Sequence, residues 1–430
     1  MVGCHEKAGR AWSWPFPVVI RATGAPGTDY NMNPIKKRVV LHFPGFEPLN
    51  AAAHRARYER SARQSADVWG FSTSVGELKN FGRAPYFDVD ATAADWSTQS
   101  RIHVVDHNDL VATLNGRPFF TRLMQGYLAA SKVAMSGGMV GYFRHAWRFG
   151  LFFIFPFLLM LAGLLISLLI AFTPFLFGLP AWSHIGSIAL AVAFFIYVFL
   201  PQAEKLHTLH LFSDWEMAVA MAGLNELGAE QWLEASAISV RQALDEPGVD
   251  EFVISSHSMG SSVAAHVVGL LLEREPDLFQ GKRVVFTTLG SAILQCALMR
   301  PASVLRSRVG LIARCKEIFW LDVHCLTDAI HFYKAKTAAV CGHPDAPQAS
   351  ILLIRFKQML TAKHYAKIKR DFLRVHRQYV LGPDVKAFFD FTLMTAGPLP
   401  ASDFAEFSFK KLPELTFSSG EEAQALSVGR

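Results

Sequence analysis

Three features of this 430-residue chain predict an α/β fold: a mostly parallel sheet with helices on both faces, interrupted by a transmembrane helical hairpin. Short β-branched and aromatic runs alternate with helical stretches, the pattern of parallel strands joined by crossover helices. One such run, Phe252 to Ile254, enters Ser256-His257-Ser258-Met259-Gly260 and leaves through small residues, giving a strand, a turn and a helix in an order that exposes a serine hydroxyl. From Phe149 through Ala203 there are 55 consecutive residues without Asp, Glu, Lys or Arg.

Taken in order, Met1 to Asn31 carries no long apolar core and no periodicity, so it is expected to be a disordered extension rather than a signal peptide. Met32, just ahead of Lys36-Lys37-Arg38, is a candidate true start. Val39 to Phe43 is the first strand and runs into His42-Phe43-Pro44-Gly45-Phe46. Leu49 to Asp67 predicts a helix, Val68 to Ser74 a strand, and Ile102 to Val105 another. Asp106-His107-Asn108-Asp109 clusters titratable groups, but His107 and Asp109 lack a partner pair at metal spacing, so loop or helix capping is the preferred reading. Pro118 to Arg148 reads as helix leading to the membrane.

As one helix the uncharged stretch would run about 80 Å against a hydrocarbon core of about 30 Å, so two spans are expected. Thr173-Pro174 and Gly178-Leu179-Pro180 supply the break between Phe149 to Phe172 and Ser183 to Leu200. A buried helical pair, or a hairpin dipping into one leaflet, is the alternative. Arg144 and Arg148 before the hairpin and Lys205 after it, with an uncharged turn between, predict that both termini and the flanking domain are cytoplasmic. Five cysteines, an odd set with no Cys-x-x-Cys, argue against a disulfide framework or a zinc site. The net charge of +6 suits an anionic membrane face and is too diffuse to argue for nucleic acid.

After the hairpin, Ser213-Asp214-Trp215-Glu216 has the spacing of a capping box opening a helical region to Leu244. Beyond the serine turn, Arg283 to Thr288, Ile318 to Val323 and Ile351 to Phe356 are further strands. Arg355 to Arg377 holds eight basic residues and one acid, with Tyr365, Ile368, Phe372, Val375 and Tyr379 at helical spacing, which predicts a basic amphipathic helix on anionic headgroups or a solvated face packed on the sheet. Gly397 to Arg430 is expected to be loose.

Ser256 to Gly260, with small residues two before and two after Ser258, resembles the nucleophile elbow of the α/β-hydrolase superfamily, Ser256 standing where the first glycine is usual. The resemblance covers roughly Lys36 to Gly397 apart from the hairpin and implies a membrane-anchored, esterase- or lipase-like serine hydrolase needing neither metal nor cofactor. It implies Ser258 as nucleophile, with oxyanion donors from the Phe46 and Met259 amides. The family order of serine, acid, histidine implies Asp328 in Leu326-Thr327-Asp328-Ala329-Ile330 as the acid, with Asp322 the rival inside a strand. His376 is preferred as base over His364, because it falls four residues after Phe372 on the inward face, while His331 sits close behind the acid and His343 precedes the last strand. A hydrolase domain of residues 32–148 and 201–396 around a hairpin of 149–200 is thereby expected. Partners implied are the bilayer and a small or lipid-like acyl substrate; the oligomeric state stays open. An acyltransferase with the same triad, or a non-catalytic membrane protein keeping the fold as a binding scaffold, are the competing readings.

Overall fold

The computed structural model describes residues 34–417. The readings for Met1 to Asn31, the candidate start at Met32, and the last residues of the tail lie outside them. Eight strands, β1 Lys37–Phe43, β2 Ser72–Val75, β3 Tyr86–Thr92, β4 Ser97–Val104, β5 Glu251–His257, β6 Val284–Leu289, β7 Ile318–Cys325 and β8 Ser350–Ile354, form one sheet in the order β2-β3-β4-β1-β5-β6-β7-β8. β4 through β8 pair in parallel, and β2 and β3 add an antiparallel edge. β5 and β6 are buried at every position, as expected of strands covered by helices on both faces. Two apolar layers sandwich the sheet, one of them built with the base of the hairpin.

β1 and β5 are clipped by a buried ion pair in which Arg38 Nε donates to Glu251 Oε2 at 2.8 Å. Arg38 also donates to the carbonyls of Gly397 and Leu399, and Glu251 accepts the Ala401 amide. The tail is therefore packed rather than loose as far as it is described: Ala401 and Phe404 are buried, and Phe407, Leu415 and Phe417 lean on the same layer. Aperiodic sequence hid this because the tail is held by backbone hydrogen bonds and single aromatic anchors.

Other expectations shift for local reasons. The first helix, Ala51–Trp69, runs through the start of the expected strand and stops at Gly70, whose φ of +78° ends it in the left-handed region. Ser213 lies inside the helix Thr208–Gly223 instead of capping it, its hydroxyl turned back to the Leu209 carbonyl at 3.5 Å. The basic stretch is three short helices, Phe356–Met359, Ala362–Ile368 and Phe372–Arg377, because Thr361 and Asp371 each take an N-cap and restart the chain.

Among the described residues two helices, Trp147–Leu176 and Ser183–Lys205, are long and apolar enough to cross a membrane. The first is about 45 Å long at 1.5 Å per residue, longer than a hydrocarbon core of about 30 Å. Its base is used elsewhere: Phe149, Phe152, Phe153, Phe157 and Met160 are buried against Tyr142, Phe212, Trp215 and Phe332. Past that base, Leu164, Leu165, Leu168, Leu169, Phe172 and Phe175 are exposed, as are Ile185, Ile188, Leu190 and Val192 on the second helix. Gly163 lets the pair close, since a Cβ there would stand 2.3 Å from the Phe199 ring.

Candidate active site

β5 ends at His257 and the helix Gly260–Arg274 begins after two intervening residues, so Ser258 turns the chain at φ +52°. A non-glycine residue in that region carries roughly 1–2 kcal/mol of local strain, and such strain persists where the surroundings over-determine it. Here they do. Ser258 N donates to Leu289 O at 3.1 Å, Ala292 N donates to Ser258 O at 3.2 Å, and a Cβ on Gly260 would meet the Phe43 and Pro44 carbonyl oxygens at 2.2 and 2.3 Å. Ser256 is fully buried, with its hydroxyl 3.1 Å from the Thr287 carbonyl, so small residues flank Ser258 for want of space.

His376, on the short helix after β8, and Asp328, behind β7, meet: Nδ1 donates to Oδ2 at 2.7 Å. The other carboxylate oxygen accepts the Ile330 amide at 2.9 Å. Burial pushes the Asp328 carboxyl up, but His376 and His331 outweigh it and hold the group well below the usual carboxylate range. His376 Nε2 is buried without a hydrogen-bond partner among the described residues, and His376 lines one cavity of about 40 Å³ together with Ser258, Gly45 and Phe46. Its N–H on Nδ1 leaves Nε2 as the acceptor, the tautomer that takes a proton from a hydroxyl.

Phe46 follows the Pro44-Gly45 turn after β1, and Met259 opens the Gly260–Arg274 helix with its side chain fully buried. Among the described residues neither amide N–H is committed to a backbone carbonyl. Gly45 abuts the turn, since a Cβ there would stand 3.1 Å from Ser258 Cβ.

The alternative residues go elsewhere. His364 pairs with Asp384 at 3.0 Å on the outside, and His343 Nε2 lies 2.8 Å from the Arg306 carbonyl. Asp322 accepts from the Thr288 hydroxyl at 2.7 Å and stands 3.0 Å from His324. Asp106 accepts the Asn108 amide, and Asp109 takes Arg83 and Trp232. His331, set aside for its closeness to the acid, is 3.3 Å from Asp328 Oδ2.

Sequence reasoning missed several groups around the cavity. His257 donates from Nε2 to the His376 carbonyl at 3.0 Å; burial, with help from His376, lowers its pKa to about 3 and keeps it neutral. Its place directly before Ser258 was the available signal. Glu47 takes both Arg57 and Arg377, whose charges overcome burial and hold its carboxylate far below the usual range. Asp214, hidden inside the false capping box, lines the cavity and accepts from Gln295 Nε2 at 2.9 Å, and burial raises it to about 6. Phe152 from the first long apolar helix, Leu211, Ile330 and Leu373 supply apolar wall. Comparison of the chain with family models, curated proteins and solved structures gives no match.

Proposed function

We propose that this chain is a membrane-anchored serine hydrolase of α/β-hydrolase type that cleaves an ester or thioester with an apolar acyl group. The observation that carries the reading is the convergence on one cavity of a strained, half-buried Ser258 and a histidine whose Nδ1 is bound to a buried carboxylate. Ser258 Oγ attacks the acyl carbonyl while His376 Nε2 takes its proton; Asp328 holds the tautomer and stabilises the imidazolium. The carbonyl oxygen becomes an oxyanion within reach of the Phe46 and Met259 amides, and the positive end of the Gly260–Arg274 helix adds to their field. His376 then returns the proton to the leaving oxygen or sulfur, and water repeats the sequence to free the acid. No metal or cofactor takes part in these steps.

The apolar wall and its continuity with the hairpin support an acyl chain drawn from the bilayer. Arg144, Arg148 and Lys205 at the hairpin's feet support a cytoplasmic catalytic domain. The deciding experiment is labelling of the detergent-solubilised full chain with a fluorophosphonate probe. Labelling of wild type and none of Ser258→Ala is expected; an unlabelled, folded wild type would leave the fold as a binding scaffold.

A further inference from the structure

A second pocket, of about 290 Å³, lies between the foot of the first membrane helix and the loop that carries Asp328. It is roomy beside the roughly 30 Å³ a water occupies in the liquid. Arg144, Trp147 and Arg148 line it from the membrane side, and His331 and Tyr333 from the acid loop. The His331 side chain is fully buried; its Nδ1 faces Asp328 Oδ2 at 3.3 Å, while its Nε2 has no hydrogen-bond partner among the described residues. A buried ring nitrogen left this way loses a hydrogen bond it would make in water, so a polar group from outside the chain is the missing partner of Nε2.

The charges around the pocket say which group. Arg148 Nη1 donates to the Leu326 carbonyl at 2.9 Å and keeps its other donors, and Arg144 is exposed with no ion pair to any described residue. Asp328, the acid in the wall, is already engaged by His376, His331 and the Ile330 amide, so its charge is compensated. Two guanidinium groups suit an oxyanion with several acceptor oxygens, and the free His331 Nε2 can accept from a protonated phosphate oxygen. Trp147 heads the membrane helix, the depth at which indoles and headgroups meet.

We propose that this pocket binds a phosphate-bearing anion, held by Arg144, Arg148 and His331 beside the triad acid. An anionic lipid headgroup and a soluble phosphate present the same chemistry; the lipid source rests on the hairpin lying in the bilayer, whereas neither source depends on Ser258 being a nucleophile. Occupation would tie the membrane helix to the acid loop through one ligand.

Binding is the readout, so failure of the catalytic reading and failure of this one are separable. The full chain in neutral detergent is examined by native mass spectrometry with phosphatidic acid and with phosphatidylcholine of the same acyl chains, and by thermal unfolding with inorganic phosphate. The expectation is retention of phosphatidic acid about tenfold over phosphatidylcholine, lost in Arg144→Gln, a change that removes no described hydrogen bond or ion pair. Lys363→Gln, in the basic stretch away from the pocket, should leave the preference intact. Stabilisation by inorganic phosphate alone, also lost in Arg144→Gln, would identify the occupant as soluble. The proposal is overturned if neither phosphatidic acid nor phosphate distinguishes wild type from Arg144→Gln, or if Lys363→Gln weakens binding as much.

Discussion

Asp328→Asn removes one charge and one acceptor while keeping the shape of a fully buried side chain, and the Asn carbonyl can still accept the Ile330 amide. Two effects follow at His376. In the proposed mechanism, the carboxylate 2.7 Å from Nδ1 stabilises the imidazolium formed when Ser258 gives up its proton. With charge centres about 4 Å apart and an effective dielectric constant of about 20, that attraction is about 4 kcal/mol, or three orders of magnitude in rate at about 1.4 kcal/mol per decade. The amide can also donate to Nδ1, which moves the ring proton to Nε2 and removes the acceptor facing the serine. A fall in kcat of about 10³- to 10⁴-fold is therefore expected, with KM little changed. The assay is hydrolysis of a short-chain nitrophenyl ester by the full chain in neutral detergent, with thermal unfolding as the check on folding. Asp322→Asn is the companion, since its carboxylate serves Thr288 and His324 away from the cavity and should cost stability rather than rate per folded molecule. A folded Asp328→Asn within tenfold of wild type, or an inactive Asp322→Asn that unfolds normally, would refute the assignment of the acid.

Three further outcomes are expected. His376→Ala should cost nearly as much rate as Ser258→Ala, about three to six orders of magnitude, while His364→Ala, whose partner Asp384 stands outside the cavity, should keep near-normal rate; the reverse result would reassign the base. Excising residues 149–203 should yield an aggregating chain rather than a soluble enzyme, because Phe149, Phe152 and Phe153 each contribute about 1.5–3 kcal/mol of burial to the core, and a monomeric, active product in size-exclusion chromatography would contradict that packing. Acid should weaken the fold early: burial lowers His54, His257 and His266 to about 3 and His103, His107 and His210 to about 4, all below the unfolded value near 6.5. Stability supplied by keeping these rings neutral is whole above pH 6.5 and is lost as pH falls toward 3, by up to about 1.4 kcal/mol per pH unit for each ring. A melting temperature that stays flat from pH 7 to 4.5 would oppose this.

Legibility in the sequence followed the range of the interactions. The parallel strands, the break in the apolar stretch and the turn at Ser258 were readable because each is set by residues within a few positions: β-branched runs, Pro and Gly pairs, and the small residues at 256 and 260. The strand Tyr86–Thr92 was missed although its burial alternates with period two, since Asp88 and Asp90 on its outer face make it look like loop. His376 and Asp328 could be proposed only through chain order, and their contact spans 48 residues. Glu47 and Asp214 were invisible because Arg377 and Gln295 come from distant parts of the chain, and His257, although its place before Ser258 was a signal, finds its partner, the His376 carbonyl, 119 residues away.

The position of the hairpin in the chain has a bearing on how the molecule is made. β1 sits in the middle of the sheet, with β4 on one side and β5 on the other, and the two apolar helices are translated between those neighbours. As the ribosome works from the N-terminus, β1 to β4 can assemble as a half-sheet, but the far edge of β1 must wait, with Arg38 lacking its carboxylate, until Glu251 emerges. At about 5–20 residues per second that interval lasts on the order of ten seconds, with an unpaired strand edge exposed while the hairpin leaves the ribosome. Delivery of the hairpin and closure of the sheet are thus consecutive steps of one synthesis, and a nascent chain that stalls between them would present both an open β edge and a bare apolar helix to its surroundings.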